Sequence, residues 1–197
     1  MAQPDVEPEF EFVKVQGSDI YFHCEVTEES VLELNLKVKK LAHELRHKHL
    51  DLGLDHIKPE IRVFIKSEGG DLHSGLSAMD CLTSLARTVK IRTVADGVCA
   101  SAATFILLGG RTRYMTPNSY VLIHQLSMDG QWGKFEDFKD QMGNLEQFMK
   151  RFRKIYLKET QVPESKLEKL LRRDLYMDSK RCLKWGVVDE IWGAQQL

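Results

Sequence analysis

The chain has 197 residues and a formal net charge of −1, so its length suits one globular domain with its own core. A charge this close to zero argues against a broad basic surface, and we expect neither nucleic acid nor a membrane as a partner. The acidic N-terminal segment lacks the apolar run of a secretory leader, and no apolar run is long enough to cross a bilayer. Four cysteines without C-x-x-C spacing are expected to be reduced, which favours a cytoplasmic location.

The N-terminal third predicts a flexible acidic arm at 1–14 and the start of a single domain at 15–197. Residues 20–26 alternate like a strand. Thr27 is a candidate N-cap for an amphipathic helix over 28–48, in which apolar residues recur every three or four positions. Strands and helices alternate from here to the C-terminus, which predicts an α/β fold with largely parallel pairing.

The helix over 28–48 also contains the H-E-x-x-H motif of zinc metalloproteases, from His43 to His47. Both imidazoles would point away from the buried face of this helix. Arg46 and Lys48 place positive charge beside a site for a dication, and a third ligand would have to come from outside the motif. We therefore expect no catalytic metal.

A strand predicted at 61–65 ends in S-E-G-G-D, from Ser67 to Asp71, just before the next predicted helix. Two glycines at such a junction let backbone N–H groups approach a ligand closely. The stretch lacks the glycine patterns of a nucleotide-binding loop. An oxyanion donor and an ordinary tight turn remain as equal alternatives.

Residues 91–110 are the centre of the pattern. A buried strand is predicted at 91–95, a bend at Gly97 and an apolar helix at 100–108. Ser101 falls where strand turns into helix, and the free N–H groups of a helix N-terminus favour developing negative charge. On this stretch alone a helix-capping serine is the more frequent explanation, and a nucleophile is the alternative.

The C-terminal half adds a histidine and a long helix. A strand over 119–125 carries His124 near its end, where an imidazole can face a cleft. A helix over 134–158 has an apolar stripe too long for a small domain to cover, which indicates burial against a partner, most simply a second copy. A core helix is the alternative. Pro163 begins a further helix, and a last strand is predicted at 187–192.

The order of these segments resembles the proteolytic subunit of the Clp protease. The resemblance rests on S-E-G-G, G-V-C-A-S-A-A-T-F-I-L-L-G-G, P-N-S-Y-V-L-I-H-Q, R-R-D-L-Y-M-D-S and W-G-V-V-D-E-I, in that order, over residues 60–193. It implies an α/β, crotonase-like spiral of β-β-α units with a handle helix at 134–158. It also implies a self-compartmentalising serine endopeptidase that cleaves unfolded polypeptides inside stacked seven-membered rings.

Carried over to this sequence, the resemblance makes Ser101 the nucleophile, His124 the general base and Asp174 the residue that orients the imidazole. The backbone N–H groups of Gly70 and Ala102 would hold the oxyanion, so no side-chain donor is needed. The resemblance implies no metal or cofactor in this subunit.

The resemblance also points to residues for assembly. Gly130 and Gly133 fall where the family has a glycine-containing handle strand along the substrate groove, and Arg173 matches the arginine that links two rings. An AAA+ unfoldase is the expected ATP-dependent partner. Glu68 and Leu126 stand where the family has prolines, and we expect the glycine turn to be less rigid without its proline. These departures would fit a divergent, viral or accessory member.

Two other functions stay open on the sequence. A ring subunit with little activity could serve structure or regulation. A crotonase-type enzyme acting on acyl-CoA thioesters would share the fold and the pair of oxyanion N–H groups, but it would explain neither Ser101 nor His124.

Overall fold

The computed structural model describes residues 11–127 and 133–193, and its centre is a twisted β-sheet. The strands of this part of the chain are β1 (Val13–Gln16), β2 (Asp19–Phe22), β3 (Glu60–Ser67), β4 (Lys90–Ala100), β5 (Thr112–Met115), β6 (Tyr120–Leu122) and β7 (Glu190–Ile191). They lie in the order β1-β2-β3-β4-β5-β7, and β6 pairs with β4. The β1–β2 pair is antiparallel and the other pairs are parallel.

Helices connect most of the parallel strands, since a parallel pair needs a crossover. They are α1 (Glu28–Asp51), α2 (Leu72–Leu85), α3 (Ala103–Leu108), α4 (Phe135–Glu159), α5 (Glu164–Leu171) and α6 (Ser179–Lys184). This alternation confirms the predicted α/β class. None of the helices in the two described ranges combines the length and the apolar character needed to cross a membrane.

Strand β4 carries the chain through the middle of the sheet. Residues 92–95 pair with β5, residues 98–100 pair with β6, and β3 lies along the opposite edge. Gly97, with a φ of +94°, separates the two halves. Because β4 is paired on both edges and covered by helices, most of its inner residues are buried, as in other parallel sheets. Ser101 therefore directly follows the end of a strand that is buried at the centre of the sheet.

Helix α1 begins at a capping box. The Thr27 hydroxyl accepts a hydrogen bond from the Ser30 N–H at 3.2 Å, and the Ser30 hydroxyl accepts one from the Thr27 N–H at 3.0 Å. The predicted cap is therefore confirmed, and α1 continues to Asp51, three residues beyond its predicted end. Its buried stripe consists of Ser30, Val31, Leu34, Val38, Leu41 and Ala42.

The two halves of α4 have different surroundings. In the C-terminal half, Phe152 and Tyr156 are buried, and their ring centroids lie 5.1 Å and 5.5 Å from that of Phe105 on α3. In the N-terminal half, the large apolar side chains that stay exposed are Phe135, Phe138 and Met142. The domain therefore covers the apolar stripe of α4 at one end and leaves it open at the other.

The predicted boundaries around Ser101 are wrong. Strand β4 extends to Ala100 instead of ending at 95, and α3 begins at Ala103 instead of at 100. Ala100 pairs with Leu122 of β6, and Ser101 then adopts a φ of +53°, which no α-helical residue can have. Because Ala100 pairs with a distant strand, the helix begins three residues later than predicted.

Both ends of the described chain also differ from the prediction. Val13 and Lys14 belong to β1 instead of the arm, because they pair with β2. The strand expected over 187–192 shrinks to β7, because the N–H groups of Val187 and Val188 bond back to Cys182 in the turn after α6. Strand β5 is not among the predicted elements.

Candidate active site

Ser101 lies on a strained turn between β4 and α3. Among the described residues it is the one non-glycine residue with positive φ, a conformation that costs roughly 1–2 kcal/mol for an L-residue. Its N–H donates to the Leu122 carbonyl at 2.9 Å. Its carbonyl accepts from the Thr104 N–H at 3.0 Å and from the Thr104 hydroxyl at 2.6 Å. The surrounding structure therefore holds the strained backbone from both sides.

The S-E-G-G turn packs directly against Ser101. Gly69 has a φ of +106°, and a Cβ added there would lie 2.6 Å from the Ser101 Cβ. Gly70 has a φ of +139° and would meet the backbone of Val26. The turn is tied to that backbone, because the Val26 N–H donates to the Gly69 carbonyl at 2.8 Å and the Asp71 N–H donates to the Val26 carbonyl at 2.7 Å. Glycine is therefore required at both positions.

The N–H groups of Gly70 and Ala102 are available at this junction. Within residues 11–127 and 133–193, neither N–H donates a hydrogen bond to another protein group. Both residues line the same cavity as Ser101. An unused pair of backbone donors beside a serine can stabilise negative charge that develops on a substrate oxygen.

His124 follows β6 and lines the same cavity as Ser101. The imidazole Nδ1 lies 3.2 Å from Asp174 Oδ1, so Nδ1–H donates to the carboxylate and Nε2 is left as the acceptor. Nε2 is buried and has no hydrogen-bond partner among the described residues. The Ser101 hydroxyl forms no hydrogen bond to it in this part of the chain, and such contacts often tighten only when substrate binds.

Asp174 differs from the rest of the site in its exposure. Its side chain is 77% exposed, whereas that of His124 is 21% exposed. Arg173 is also exposed, and its N–H donates to the Leu170 carbonyl at 3.0 Å in the turn that ends α5. The acid of the predicted triad thus lies on an open segment of the surface.

The cavity beside Ser101 has a volume of about 480 Å³, within the usual range for ligand pockets. Polar and apolar groups share its walls, and the apolar side chains come from Leu72, Phe105, Leu126, Leu145, Phe148 and Phe152. The ring of His73 packs edge-on against Phe148, with centroids 5.2 Å apart. The cavity can therefore take an apolar side chain next to the serine.

Asp71 closes the glycine turn and caps α2. Its carboxylate accepts from the Ser74 N–H at 2.7 Å and from the Ser74 hydroxyl at 2.6 Å. Burial raises the pKa of Asp71, but the hydrogen bonds from Ser74 outweigh burial and hold the pKa below its usual value. The carboxylate therefore stays charged and fixes the turn to the helix.

The residues expected to serve assembly are only partly visible. Gly130 lies outside the described residues. Gly133 is exposed and lies outside any strand, two residues before α4. The Lys134 N–H between them donates to Asp137 at 2.9 Å.

Glu68, at the position where the resemblance expects proline, interacts with the segment that carries Asp174. Its carboxylate accepts a hydrogen bond from the Tyr176 hydroxyl at 3.2 Å. Leu126, at the second such position, lines the cavity. Tyr176 carries no sequence signal for this role, since 108 positions separate it from Glu68.

The H-E-x-x-H motif lies on the exposed side of α1. His43 and His47 are exposed, and their ring centroids are 4.2 Å apart. In the part of the chain that the structure describes, no group of three or more His, Cys, Asp or Glu side chains could hold a metal ion. The motif shares no lining residue with the cavity at Ser101.

A serine on a strained strand-to-helix turn, beside a histidine paired with an aspartate, is the arrangement of a serine-type hydrolase. A protein-family model described as Clp protease matches residues 18–195. The chain belongs to the Clp protease family. The predicted crotonase-like α/β fold of this family is thereby confirmed.

Proposed function

We propose that the protein is a self-compartmentalising serine endopeptidase that hydrolyses peptide bonds of unfolded polypeptides. Membership of the Clp protease family supports a serine protease of this type. The observation that carries the proposal is the strained turn of Ser101 in one cavity with His124, whose Nδ1 bonds Asp174.

The chemistry follows from these groups. His124 Nε2 takes the Ser101 proton while the Ser101 oxygen attacks the substrate carbonyl, and the carbonyl electron pair moves to the oxygen. The N–H groups of Gly70 and Ala102 hold that oxyanion. Collapse of the intermediate breaks the C–N bond, and His124 returns the proton to the leaving amine. Water then attacks the ester by the same route, while Asp174 keeps the imidazole in the correct tautomer.

The proposed substrate site is the cavity beside Ser101. Phe148 and Phe152 of α4 and Leu126 supply apolar side chains to its lining. We infer that an apolar side chain preceding the scissile bond enters this cavity, because burial of such a side chain there contributes about 1.5–3 kcal/mol.

Assembly is the second part of the proposal. The exposed apolar side chains of Phe135, Phe138 and Met142 form a surface that a second copy would bury. Members of the Clp protease family form stacked rings that work with Clp ATPases. We infer stacked seven-membered rings here, with Arg173 near the contact between rings, and an AAA+ unfoldase as partner.

A fluorophosphonate probe tests the nucleophile. We expect the wild type to be labelled and Ser101→Ala to remain unlabelled, while Ser84→Ala, an exposed serine on α2, is labelled like the wild type. Labelling of Ser101→Ala at the wild-type level contradicts the assignment. The same samples are measured for peptide turnover and assembly mass. A ring without turnover favours the structural or regulatory subunit, and acyl-CoA binding favours the crotonase-type enzyme.

A further inference from the structure

A buried chain of hydrogen bonds runs from α4 to the Ser101 turn. The Tyr156 hydroxyl lies 2.6 Å from the Thr104 hydroxyl, which lies 2.6 Å from the Ser101 carbonyl. Thr104 is 1% exposed and Tyr156 is 2% exposed, so no solvent competes for these bonds. The two side chains are 52 positions apart in sequence.

The direction of these bonds follows from proton counting. The Ser101 carbonyl can only accept, so the single proton of the Thr104 hydroxyl is donated to it. The Thr104 oxygen must then accept the proton of Tyr156. Burial raises the pKa of the Tyr156 phenol, which therefore stays a donor throughout the working pH range. In a buried chain of this kind each bond polarises the next.

The end of this chain fixes one particular peptide unit. The Ser101 carbonyl and the Ala102 N–H belong to the same planar trans peptide, in which C=O and N–H point in opposite directions. A carbonyl held by the Thr104 N–H and hydroxyl therefore sets the direction of the Ala102 N–H. Donation to the carbonyl oxygen also draws electrons from the peptide nitrogen and strengthens its N–H as a donor.

We propose that Tyr156, acting through the Thr104 hydroxyl, is a positioning residue that aims the Ala102 N–H at the oxyanion. The inference rests on the proposed peptidase function, since it assigns a cause to one of its two oxyanion donors. These hydrogen bonds also link the Ala102 N–H to α4. The N-terminal half of the same helix carries the exposed apolar surface proposed for assembly. A movement of α4 along its axis would therefore change the direction of the Ala102 N–H.

Four variants separate this role from ordinary core packing. Tyr156→Phe removes the phenol oxygen and keeps the ring, Thr104→Val removes the hydroxyl and keeps the shape, and Thr104→Ser restores the hydroxyl. Tyr114→Phe is the matched control, because Tyr114 is 3% exposed and packs against Trp192, away from the cavity. Peptide hydrolysis gives kcat and KM, and thermal unfolding reports the fold.

We expect kcat to fall about 10–100-fold in Thr104→Val and about 3–10-fold in Tyr156→Phe with KM unchanged. These losses are smaller than the roughly 10²–10³-fold loss that follows removal of a whole oxyanion donor, because the Ala102 N–H is misdirected and not removed. Thr104→Ser should recover to within about twofold, and Tyr114→Phe should match the wild type. If Tyr156→Phe behaves like Tyr114→Phe, the inference is wrong. If Thr104→Val does not fold, the inference is tested by comparing kcat of Tyr156→Phe with kcat of Thr104→Ser.

Failure of the proposed peptidase function has a different signature, since the wild type itself would then show no turnover and no labelling at Ser101. In that case crystal structures of the wild type and Thr104→Val, or Thr104→Ala if the valine variant does not fold, report the orientation of the Ser101–Ala102 peptide. A peptide unit that keeps its orientation without the hydroxyl overturns the inference whether or not the protein is active.

Discussion

The two ends of the proposed triad lie in opposite environments. At the Ser101 end, the N–H and the carbonyl of Ser101 are both hydrogen-bonded, and Gly69 packs against the side chain. At the Asp174 end, a carboxylate that is 77% exposed contacts His124 through one bond of 3.2 Å. The backbone of Ser101 is therefore fixed within the core of a single subunit, whereas the carboxylate that the proposal assigns to orienting the base lies on the surface.

This difference has an electrostatic consequence. When His124 takes up a proton, its attraction to an exposed carboxylate is weakened by screening and by the high dielectric of water. Asp174 therefore stabilises the imidazolium of the isolated subunit less than a buried acid would. Covering the Asp174 segment with a second copy would strengthen the same bond without moving an atom of Ser101. Assembly is thus expected to act on the base more than on the nucleophile.

Replacement of the functional group at each end of the proposed triad is expected to give the largest effect on activity. Ser101→Ala should lower kcat by at least about 10⁴-fold, because no other group can form the ester. Asp174→Asn should lower kcat by only about 10–100-fold, because solvent already surrounds this carboxylate. Steady-state peptide hydrolysis measures both. A loss in Asp174→Asn as large as that in Ser101→Ala would show that the acid is covered in the working assembly.

A methyl group added at the glycine turn tests how tightly the Ser101 end is packed. Gly69→Ala places a Cβ within 2.6 Å of the Ser101 Cβ at a φ of +106°, and we expect a loss of about 2–4 kcal/mol in the free energy of unfolding, together with loss of activity. The control is Gly143→Ala on α4, where an added Cβ meets nothing within 4 Å. That variant should gain about 1 kcal/mol. Urea denaturation of both variants makes the measurement, and equal stabilities would contradict the packing described.

A charge placed on the exposed N-terminal half of α4 tests whether this half forms the contact between copies. Phe138→Glu should reduce the assembly mass and lower peptide turnover about tenfold, because it places a carboxylate on the apolar surface proposed for contact between copies. The thermal stability of the subunit should hardly change. Gln147→Glu adds the same charge at an exposed polar position of α4 and should leave the mass unchanged. Sedimentation velocity distinguishes the outcomes, and an unchanged mass in Phe138→Glu excludes this surface from assembly.

The smallest effect on activity is expected at the hydrogen bond between Tyr176 and Glu68, which links the two ends of the site. Tyr176→Phe removes the hydrogen bond to Glu68, which joins the glycine turn to the Asp174 segment across an exposed surface. A single exposed bond of this kind contributes about 0.5–1 kcal/mol, so kcat should change no more than about twofold. The measurement is peptide hydrolysis alongside thermal unfolding. A tenfold loss of kcat at unchanged stability would mean that Tyr176 positions Asp174 as well.

Local patterns were sufficient where the structure is determined locally. The start of α1 at Thr27 follows from a capping residue and a stripe of apolar positions. The predicted bounds of α4, 134–158, differ from Phe135–Glu159 by one residue at each end, because a long periodic stripe leaves little freedom. The α/β class follows from the alternation of such elements.

The junction at Ser101 could not be predicted in the same way. An apolar run such as that at 100–108 suits a buried strand end as well as a helix, and periodicity cannot distinguish them. Pairing of Ala100 with Leu122, which lies 22 positions later, decides the boundary. The positive φ at Ser101 has no signal in the sequence, because serine rarely adopts it.

The candidate site likewise contains some features that the sequence predicts and others that it does not. The types and order of its residues pointed to Ser101, His124 and Asp174, whose roles remain predictions. The contact between Thr104 and Tyr156 arises only when α4 packs on α3, and the exposure of Asp174 depends on what the fold leaves uncovered. Such features belong to the packing of distant segments.

The double pairing of β4 restricts which parts of the chain can vary in length. A shift of β4 by one residue would break its ladders with β3, β5 and β6 together and turn every side chain to the opposite face. The exposed connector between α1 and β3 faces no such restriction. Over evolutionary time, insertions and deletions should therefore accumulate in that connector, while the number of residues from the start of β4 to the serine stays constant.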